Sequence, residues 1–451
     1  MNDPALATDG GLHLVIGLGK TGLSMVEYLL GQGVRVAVMD SRPEPPGLAT
    51  LRARFPTVNC HLGGFSAEVC RSAARLLLSP GVSRGEPAIA AASAAGIPLW
   101  GDIELFARRV QAPVAAITGS NGKSTVTTLL GEMARRAGRR VAVGGNLGTP
   151  ALALLQQPEV DLHVLELSSF QLETTESLAP AVATVLNLSA DHLDRYADLA
   201  EYAVAKQRIF RNAACQVLNA DDPMVRAMAG RGSPRRYFTL GPPTSPDEFG
   251  IHRDGGEDWL VRGEARWLTA SMLRIVGAHN IANALAALAM GESLGLSREA
   301  MVSALREFPG LEHRSQLVAE RAGVRWVNDS KATNVGATLA AVRGMPGRVV
   351  LIAGGEGKGQ DFSPLGAVLR ERARALVVMG RDGGQIAAVV AGEVPVQSVD
   401  SMDEAVIEAA RLAVPGDCVL LSPACASFDM FKNFEERGAH FTAAARRLTQ
   451  C

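Results

Sequence analysis

Short runs of Val, Ile, Leu and Ala alternate with helix-forming stretches along almost the whole chain, and glycine-bearing turns join them. The clearest runs are residues 12–16, 34–40, 114–118, 162–167, 182–188, 324–328, 349–353, 375–379 and 418–421. Strands this uniformly apolar need cover on both faces, and helices crossing between successive strands provide it when the strands run parallel. The pattern therefore predicts an α/β chain of parallel sheets with helices on both faces.

One helix shows the periodicity plainly. Over residues 123–137 the apolar positions Val126, Leu129, Leu130, Met133 and Ala137 share a face, and Gly138 stands where a helix C-cap belongs. At roughly 150 residues per domain, 451 residues suggest three α/β units. A turn-rich stretch at residues 96–101 ends the first run, Pro113 precedes a new strand, and Pro309-Gly310 marks a second shift in composition. The expected domains are residues 1–100, 101–310 and 311–451. Residues 230–266, rich in Gly, Pro and charge, read as a short β excursion or surface loops.

Composition narrows the partners. Lys plus Arg number 45 against 46 for Asp plus Glu, a balance that argues against a nucleic-acid coat or a polybasic membrane anchor. No run of eighteen apolar residues occurs. Met1-Asn2-Asp3-Pro4 lacks the basic start of a signal peptide. The cysteines, Cys60, Cys70, Cys215, Cys418, Cys425 and Cys451, have neither zinc-knuckle spacing nor the look of a disulfide framework. The expectation is a cytoplasmic protein working on small molecules, with no nucleic-acid or membrane partner.

Two glycine loops carry the chemistry. Gly17-Leu18-Gly19-Lys20-Thr21-Gly22 follows an apolar run and opens a helix, and Asp40 ends the next strand. Such a loop lets a diphosphate approach a helix N-terminus, and the acid would hold a ribose hydroxyl. NAD and a nucleotide-sugar both satisfy it, and a plain strand-to-helix turn is the bland alternative.

The second loop, Gly119-Ser120-Asn121-Gly122-Lys123-Ser124-Thr125, stands between the run 114–118 and the helix above. It departs from a full phosphate-loop motif because Ile117 replaces the leading glycine. The working parts remain. Backbone N–H groups surround an anion, Lys123 meets the β- and γ-phosphates, and the Ser124 or Thr125 hydroxyl reaches Mg²⁺, so ATP is the expected ligand. Glu166 at a strand end, His192 in Asp191-His192 after the run 182–188, and Lys206 on the following helix could complete a metal–nucleotide site.

Taken together, these segments resemble the Mur ligases. The resemblance rests on residues 118–125, on Glu166-Leu167-Ser168-Ser169-Phe170-Gln171-Leu172, on Asp191-His192, and on Asn328-Asp329-Ser330-Lys331-Ala332-Thr333-Asn334. Residues 101–106, Gly144-Gly145-Asn146, residues 277–283, His313-Arg314 and residues 421–427 extend it over nearly the whole chain, and residues 230–266 fit it least. Within the family the likeness is to the branch that adds D-glutamate, and the Asp-Asn-Pro-Arg stretch usual in the diaminopimelate-adding branch is absent. Another Mur ligase or a folylpolyglutamate synthetase shares the ATP domain, and an NAD oxidoreductase or a non-catalytic nucleotide-binding module is the reading from another class.

The resemblance implies an N-terminal Rossmann-like domain for the UDP precursor, a central phosphate-loop ATPase domain and a C-terminal Rossmann-like domain. It implies a monomer that joins D-glutamate to UDP-N-acetylmuramoyl-L-alanine through an acyl phosphate and a tetrahedral intermediate, using ATP and two Mg²⁺ ions. Lys20, Thr21, Asp40, Ser41, Arg42, Ser79 and Gly81 would hold the UDP part. Glu166 and a carbamylated Lys206 would serve one Mg²⁺, with Ser124 and His192 near the other, and Asn146 would touch the γ-phosphate or the precursor. Asn280, Asn283, Arg314 and Asp329 would hold adenine, ribose and phosphates. Lys331, Thr333, Lys358, Ser427 and Phe434 would form the glutamate pocket.

Overall fold

The computed structural model describes residues 11–192, 195–230, 232–390 and 392–448, and the backbone of 449 and 450. Met1 to Pro4 and Cys451, named in the sequence reading, lie outside the described residues, as do Leu193 and Asp194. The chain divides into two compact units. The first takes the described residues up to Leu188, His192–Phe238 and Ala286–Met301, and the second takes Ser189–Asp191, Thr239–Leu285 and the residues from Val302 onward.

The first unit contains two parallel arrays. The N-terminal sheet is built from β1 (His13–Ile16), β2 (Val36–Asp40), β3 (Asn59–Leu62), β4 (Arg75–Leu78) and β5 (Leu99–Gly101), in the order β3-β2-β1-β4-β5. That order reverses at β1, so a crevice opens beyond the carboxyl ends of β1 and β4. The second array joins β6 (Val114–Thr118), β7 (Val141–Gly145), β8 (Leu162–Glu166), β9 (Val182–Val185), β10 (Gln216–Asn219) and β11 (Arg235–Phe238) in the order β11-β10-β9-β6-β8-β7. Every pairing in it is parallel.

The helix Lys123–Arg136 packs on this array through Val126, Leu129, Leu130 and Met133, all fully buried. Arg135 and Arg136 occupy its last turn, where cations suit the helix dipole. Gly138, with φ +81°, closes it, and the Arg139 N–H reaches back to the Ala134 carbonyl, the arrangement the glycine forecast.

The second unit departs from the all-parallel expectation in two places. β12 (Phe249–Asp254), β13 (Glu257–Arg262) and β14 (Ala265–Thr269) are antiparallel neighbours, so the ambiguous 230–266 stretch is strand-rich. The C-terminal sheet has the order β15-β16-β20-β17-β18-β19, formed by β15 (Gln316–Arg321), β16 (Val324–Asn328), β17 (Val349–Gly354), β18 (Ala373–Met379), β19 (Val396–Ser398) and β20 (Cys418–Leu421). β15 pairs antiparallel with β16, which a two-residue turn through Ala322 and Gly323 permits, and the remaining pairings are parallel. β17 and β20 are buried on both faces, between the apolar groups around Leu351 and Leu420 on one side and Ile352 and Leu421 on the other.

Candidate active site

The phosphate loop leaves the end of β6 and enters the helix at Lys123. Gly119 has φ +150°, and a Cβ there would lie 3.1 Å from the Leu186 side chain and 3.2 Å from its backbone nitrogen. Gly122 has φ +83° as the residue before the helix, again outside the range that suits an L side chain. Asn187, after β9, receives the Asn121 N–H at 2.8 Å and donates its amide to the Asn121 carbonyl at 3.1 Å. The Thr118 hydroxyl donates to the Leu167 carbonyl at 2.7 Å. Neighbouring strand ends thus fix the loop from both sides.

Around this loop the structure gathers most of the catalytic candidates. Lys123 Nζ donates to the Gly119 and Ser120 carbonyls at 2.8 and 2.9 Å, folding back over the cradle where a phosphate would sit. Ser124 Oγ donates to Glu166 Oε2 at 2.6 Å, and Asn146 Nδ2 donates to Glu166 Oε1 at 2.7 Å. Lys206, 1% exposed, donates to the Gly119 carbonyl at 2.9 Å and the Thr118 hydroxyl at 3.3 Å, and lies 4.5 Å from the Tyr202 ring centre. Ser124, Glu166 and Asn146 offer hard oxygen donors, the type Mg²⁺ selects. Among the described residues no three His, Cys, Asp or Glu side chains converge on one point. An ion held by one or two protein oxygens, phosphates and waters fits that set, and an all-protein cage does not.

His192 lies on an exposed turn with φ +56°. Its ring meets Phe170 edge-on at 4.8 Å and Tyr202 at 6.3 Å, so Lys206 and His192 share one aromatic wall. The neighbouring Asp191 belongs to the second unit, where it accepts the Asn334 amide at 3.3 Å.

At the N-terminal crevice, Gly17 with φ +90° would bring a Cβ to 2.8 Å from Val82, and at Gly22 a Cβ would stand 1.9 Å from the Gly17 carbonyl oxygen. Ser79 Oγ donates to that same oxygen at 2.6 Å. Burial alone would raise the Asp40 carboxyl, but the Arg42 guanidinium and the Leu18 and Arg42 N–H groups outweigh it and hold the pKa at about 2. Both Asp40 oxygens are engaged this way: Oδ1 by Arg42 N and Nε at 2.9 Å each, and Oδ2 by Leu18 N and Arg42 Nη2 at 2.7 Å each. Arg42, expected on a diphosphate, here serves Asp40, and Asp40 in turn fixes the glycine loop. Lys20 Nζ meets the Gly148 carbonyl, two residues past Asn146. Thr21 lies in the first helical turn after the glycine loop, Ser41 is exposed after β2, and Gly81 is exposed beside Ser79.

The remaining candidates fall in the second unit. Asn280 and Asn283 are buried, with Asn280 donating to the Val276 carbonyl at 2.8 Å and Asn283 to Asn280 at 3.2 Å. Asp329 follows β16 and accepts the Ser315 N–H at 3.0 Å and the Ser422 hydroxyl at 3.1 Å. Burial drives its carboxyl up to about 7, against those bonds and the nearby Arg314 charge. Lys331 Nζ lies 3.9 Å from the Phe434 ring centre, which joins two proposed pocket residues a hundred positions apart. Lys358 has φ +53° in the glycine-rich turn after β17, and Ser427 is buried after β20.

Three residues that hold these loops were not picked out by the sequence. Gln360 donates to the carbonyls of Thr333, Gly357 and Ala424 at 3.4, 3.0 and 3.4 Å, tying the turns that carry Thr333, Lys358 and Ser427. Arg437, 2% exposed, donates to Ser330 Oγ and to the Ser330, Cys425 and Ala426 carbonyls, and burial lowers its pKa to about 10. Asp102, in the first unit, accepts the Gln171 amide at 2.9 Å, and burial pushes its carboxyl up to about 6. Gln171 also completes a capping box with Ser168, just past Glu166.

Comparison with known proteins gives one consistent result. Residues 12–101 match the family model for the Mur ligase MurD-like N-terminal domain, residues 117–291 the Mur ligase middle domain, and residues 313–425 the Mur ligase glutamate ligase domain. The chain is 56% identical over 453 residues to a UDP-N-acetylmuramoylalanine--D-glutamate ligase of Nitrosococcus oceani, with all of both chains covered. It is 52% identical to the protein of the same name from Pseudomonas aeruginosa, covering 97% of this chain and 98% of the other. Among solved structures it shares its fold with a pseudomurein peptide ligase type C from Methanothermus fervidus, with TM-score 0.58, 19% identity, and coverage of 97% of this chain and 100% of the other. A UDP-N-acetylmuramate-alanine ligase from Thermotoga maritima gives TM-score 0.56 and 19% identity, covering 97% and 100%.

Proposed function

Because this chain belongs to the Mur ligase family, we propose that it joins D-glutamate to UDP-N-acetylmuramoyl-L-alanine using ATP and Mg²⁺, a step in peptidoglycan precursor synthesis. The observation that carries this reading is the full-length identity to D-glutamate ligases together with the Ser124–Glu166–Asn146 cluster beside the phosphate loop. Asp40 favours it over an NAD enzyme. An acid that must receive a ribose diol needs open oxygens, and here both are committed to Arg42 and Leu18. Among the described residues no helix is long and apolar enough to cross a membrane, and the reading takes the enzyme as a cytoplasmic monomer.

A carboxylate resists an amine because oxide would have to leave. Transfer of the ATP γ-phosphoryl group to the alanyl carboxylate makes an acyl phosphate, from which phosphate can depart. The amine of D-glutamate adds to the acyl carbon, the tetrahedral intermediate collapses, and the C–N bond replaces the C–O bond. The transfer crowds anions together, so cations aimed at the phosphoryl oxygens supply most of the barrier lowering. Lys123 would move from the loop carbonyls to the β- and γ-phosphates, Ser124 and His192 would lie at one Mg²⁺, and Asn146 keeps Glu166 oriented toward the other. The metal would supply positive charge against the phosphate oxygens. Two ions are assigned, the second at Glu166 and Lys206.

Lys206 fits that assignment only once modified, since an ammonium repels a divalent cation. In forming the carbamate, the ammonium loses one proton to free the Nζ lone pair, which bonds to CO₂ with loss of a second proton and turns the side chain into an oxygen ligand. In the glutamate pocket, Lys331 and Lys358 meet carboxylates, with Thr333, Ser427 and Phe434 shaping the rest. Phosphate release tests the function: it should need the precursor and D-glutamate together, and release indifferent to either would contradict the reading.

A further inference from the structure

We infer that Arg195 is a positioning residue that registers His192 against the loop at residues 79–81, an inference that rests on the function proposed above. Its guanidinium has three neighbours drawn from two segments. Nη1 donates to the Pro80 carbonyl at 3.0 Å, between Ser79 and Gly81 of the proposed precursor site. Nη2 pairs with Glu173 Oε2 at 3.1 Å, at the end of the helix Ser169–Glu173 that begins just after Glu166. Its flat face lies 4.2 Å from the ring centre of Phe170, whose edge meets His192.

Both members of the pair are well covered, with Arg195 13% and Glu173 10% exposed. Glu173 is held further by the Tyr196 hydroxyl at 2.6 Å and, through its carbonyl, by Arg84 at 3.5 Å. The backbone completes the link. The His192 carbonyl accepts the N–H groups of Arg195 at 2.9 Å and Tyr196 at 3.1 Å, and His192 keeps φ at +56°, a conformation that a non-glycine residue holds only when its surroundings impose it. A shift of the 79–81 loop therefore moves Arg195, and Arg195 moves His192. Precursor bound at that loop would draw the imidazole into place, which makes precursor recognition and phosphoryl transfer share one fixed geometry. A lysine could not do this, because one ammonium cannot span the carbonyl and the carboxylate while covering the Phe170 face.

The test is a double-mutant cycle on kcat/KM for the precursor with the full-length enzyme. Arg195→Ala should lower it by roughly 10- to 100-fold, the scale of a misplaced catalytic group. His192→Ala should lower it further, and the double variant should match His192→Ala within about threefold, because a residue acting through His192 has nothing left to position. Arg195→Lys should recover less than about threefold of the loss. Calorimetry with a non-hydrolysable ATP analogue should give an unchanged Kd within about twofold. If Arg195→Ala does not fold, Glu173→Gln releases the same guanidinium and should show the same non-additivity. Additive effects, or full recovery by lysine, would overturn the inference alone. A wild-type enzyme with no precursor-dependent turnover would overturn the functional reading and this inference with it.

Discussion

Ser124 Oγ donates a hydrogen bond to Glu166 Oε2 at 2.6 Å, joining the first turn of the phosphate-loop helix to the carboxyl end of β8. Glu166 is 3% exposed and also holds Asn146, so the carboxylate is oriented before any ligand arrives. Preorganised oxygens lose little on binding a hard cation. Glu166→Gln keeps the shape and removes the charge. Turnover should fall by about 10²-fold or more, and the Mg²⁺ concentration for half-maximal rate should rise by about 10- to 100-fold. A magnesium titration checks both, and an unchanged midpoint would remove Glu166 from the metal site.

Lys206 should carry CO₂ in the active enzyme. Enzyme exchanged into ¹³C-bicarbonate should show a carbamate carbon resonance that is missing from Lys206→Ala. That variant should be nearly inactive and partly rescued by acetate or formate, whose oxygens can take the vacated position. Near-wild-type activity of that variant without added carboxylate would show that the Lys206 side chain is dispensable, and a wild-type enzyme without the carbamate resonance would keep the plain amine bonded to Gly119.

Asp329 should make stability depend on pH. Its carboxyl, raised to about 7 by burial from an ordinary 3.8, favours the protonated form in the folded chain. The folded state therefore gains stability that is fully present below pH 3.8 and is lost as pH rises through about 7. Urea midpoints measured from pH 5 to 8 should decline for the wild type, and Asp329→Asn should flatten that decline. Parallel slopes for both proteins would place the titration elsewhere.

The first glycine loop should bind the uridine precursor and not NAD. Calorimetry at matched concentrations measures both, and Arg42→Ala, which strips the Asp40 carboxylate of its partner and loosens the loop at Leu18, should weaken the precursor by about tenfold. NAD binding as tight as the precursor would revive the oxidoreductase reading.

Much of this arrangement was legible in the amino-acid order, and for identifiable reasons. β6, β17 and β20 are nearly continuous apolar runs buried on both faces, and they fall at the expected residues. The two glycine loops could be placed because their glycines carry backbone angles that other residues avoid, as at Gly17 and Gly122. Part-exposed strands such as β3, β5 and β19 escaped, since their few residues form no buried apolar run. Arg437 escaped for another reason: its partner Ser330 lies 107 residues away, and the bond between Gln171 and Asp102 likewise spans 69 residues, a distance over which sequence spacing says nothing about contact. The antiparallel β15–β16 pair likewise broke the parallel pattern that the alternation of apolar runs and helices had suggested.

The acceptor decides the central claim most directly. Purified enzyme supplied with ATP, Mg²⁺ and UDP-N-acetylmuramoyl-L-alanine should be offered D-glutamate, L-glutamate, D-alanine and lysine in parallel, and the ligated product measured by mass. In the proposed pocket Lys331, packed on the Phe434 ring, and Lys358 would each meet one carboxylate, and an acceptor lacking one would lose that pairing. Such mismatches cost about 10⁴-fold or more in kcat/KM. The account predicts product with D-glutamate alone at comparable rates. Equal ligation of D-alanine or lysine would contradict it.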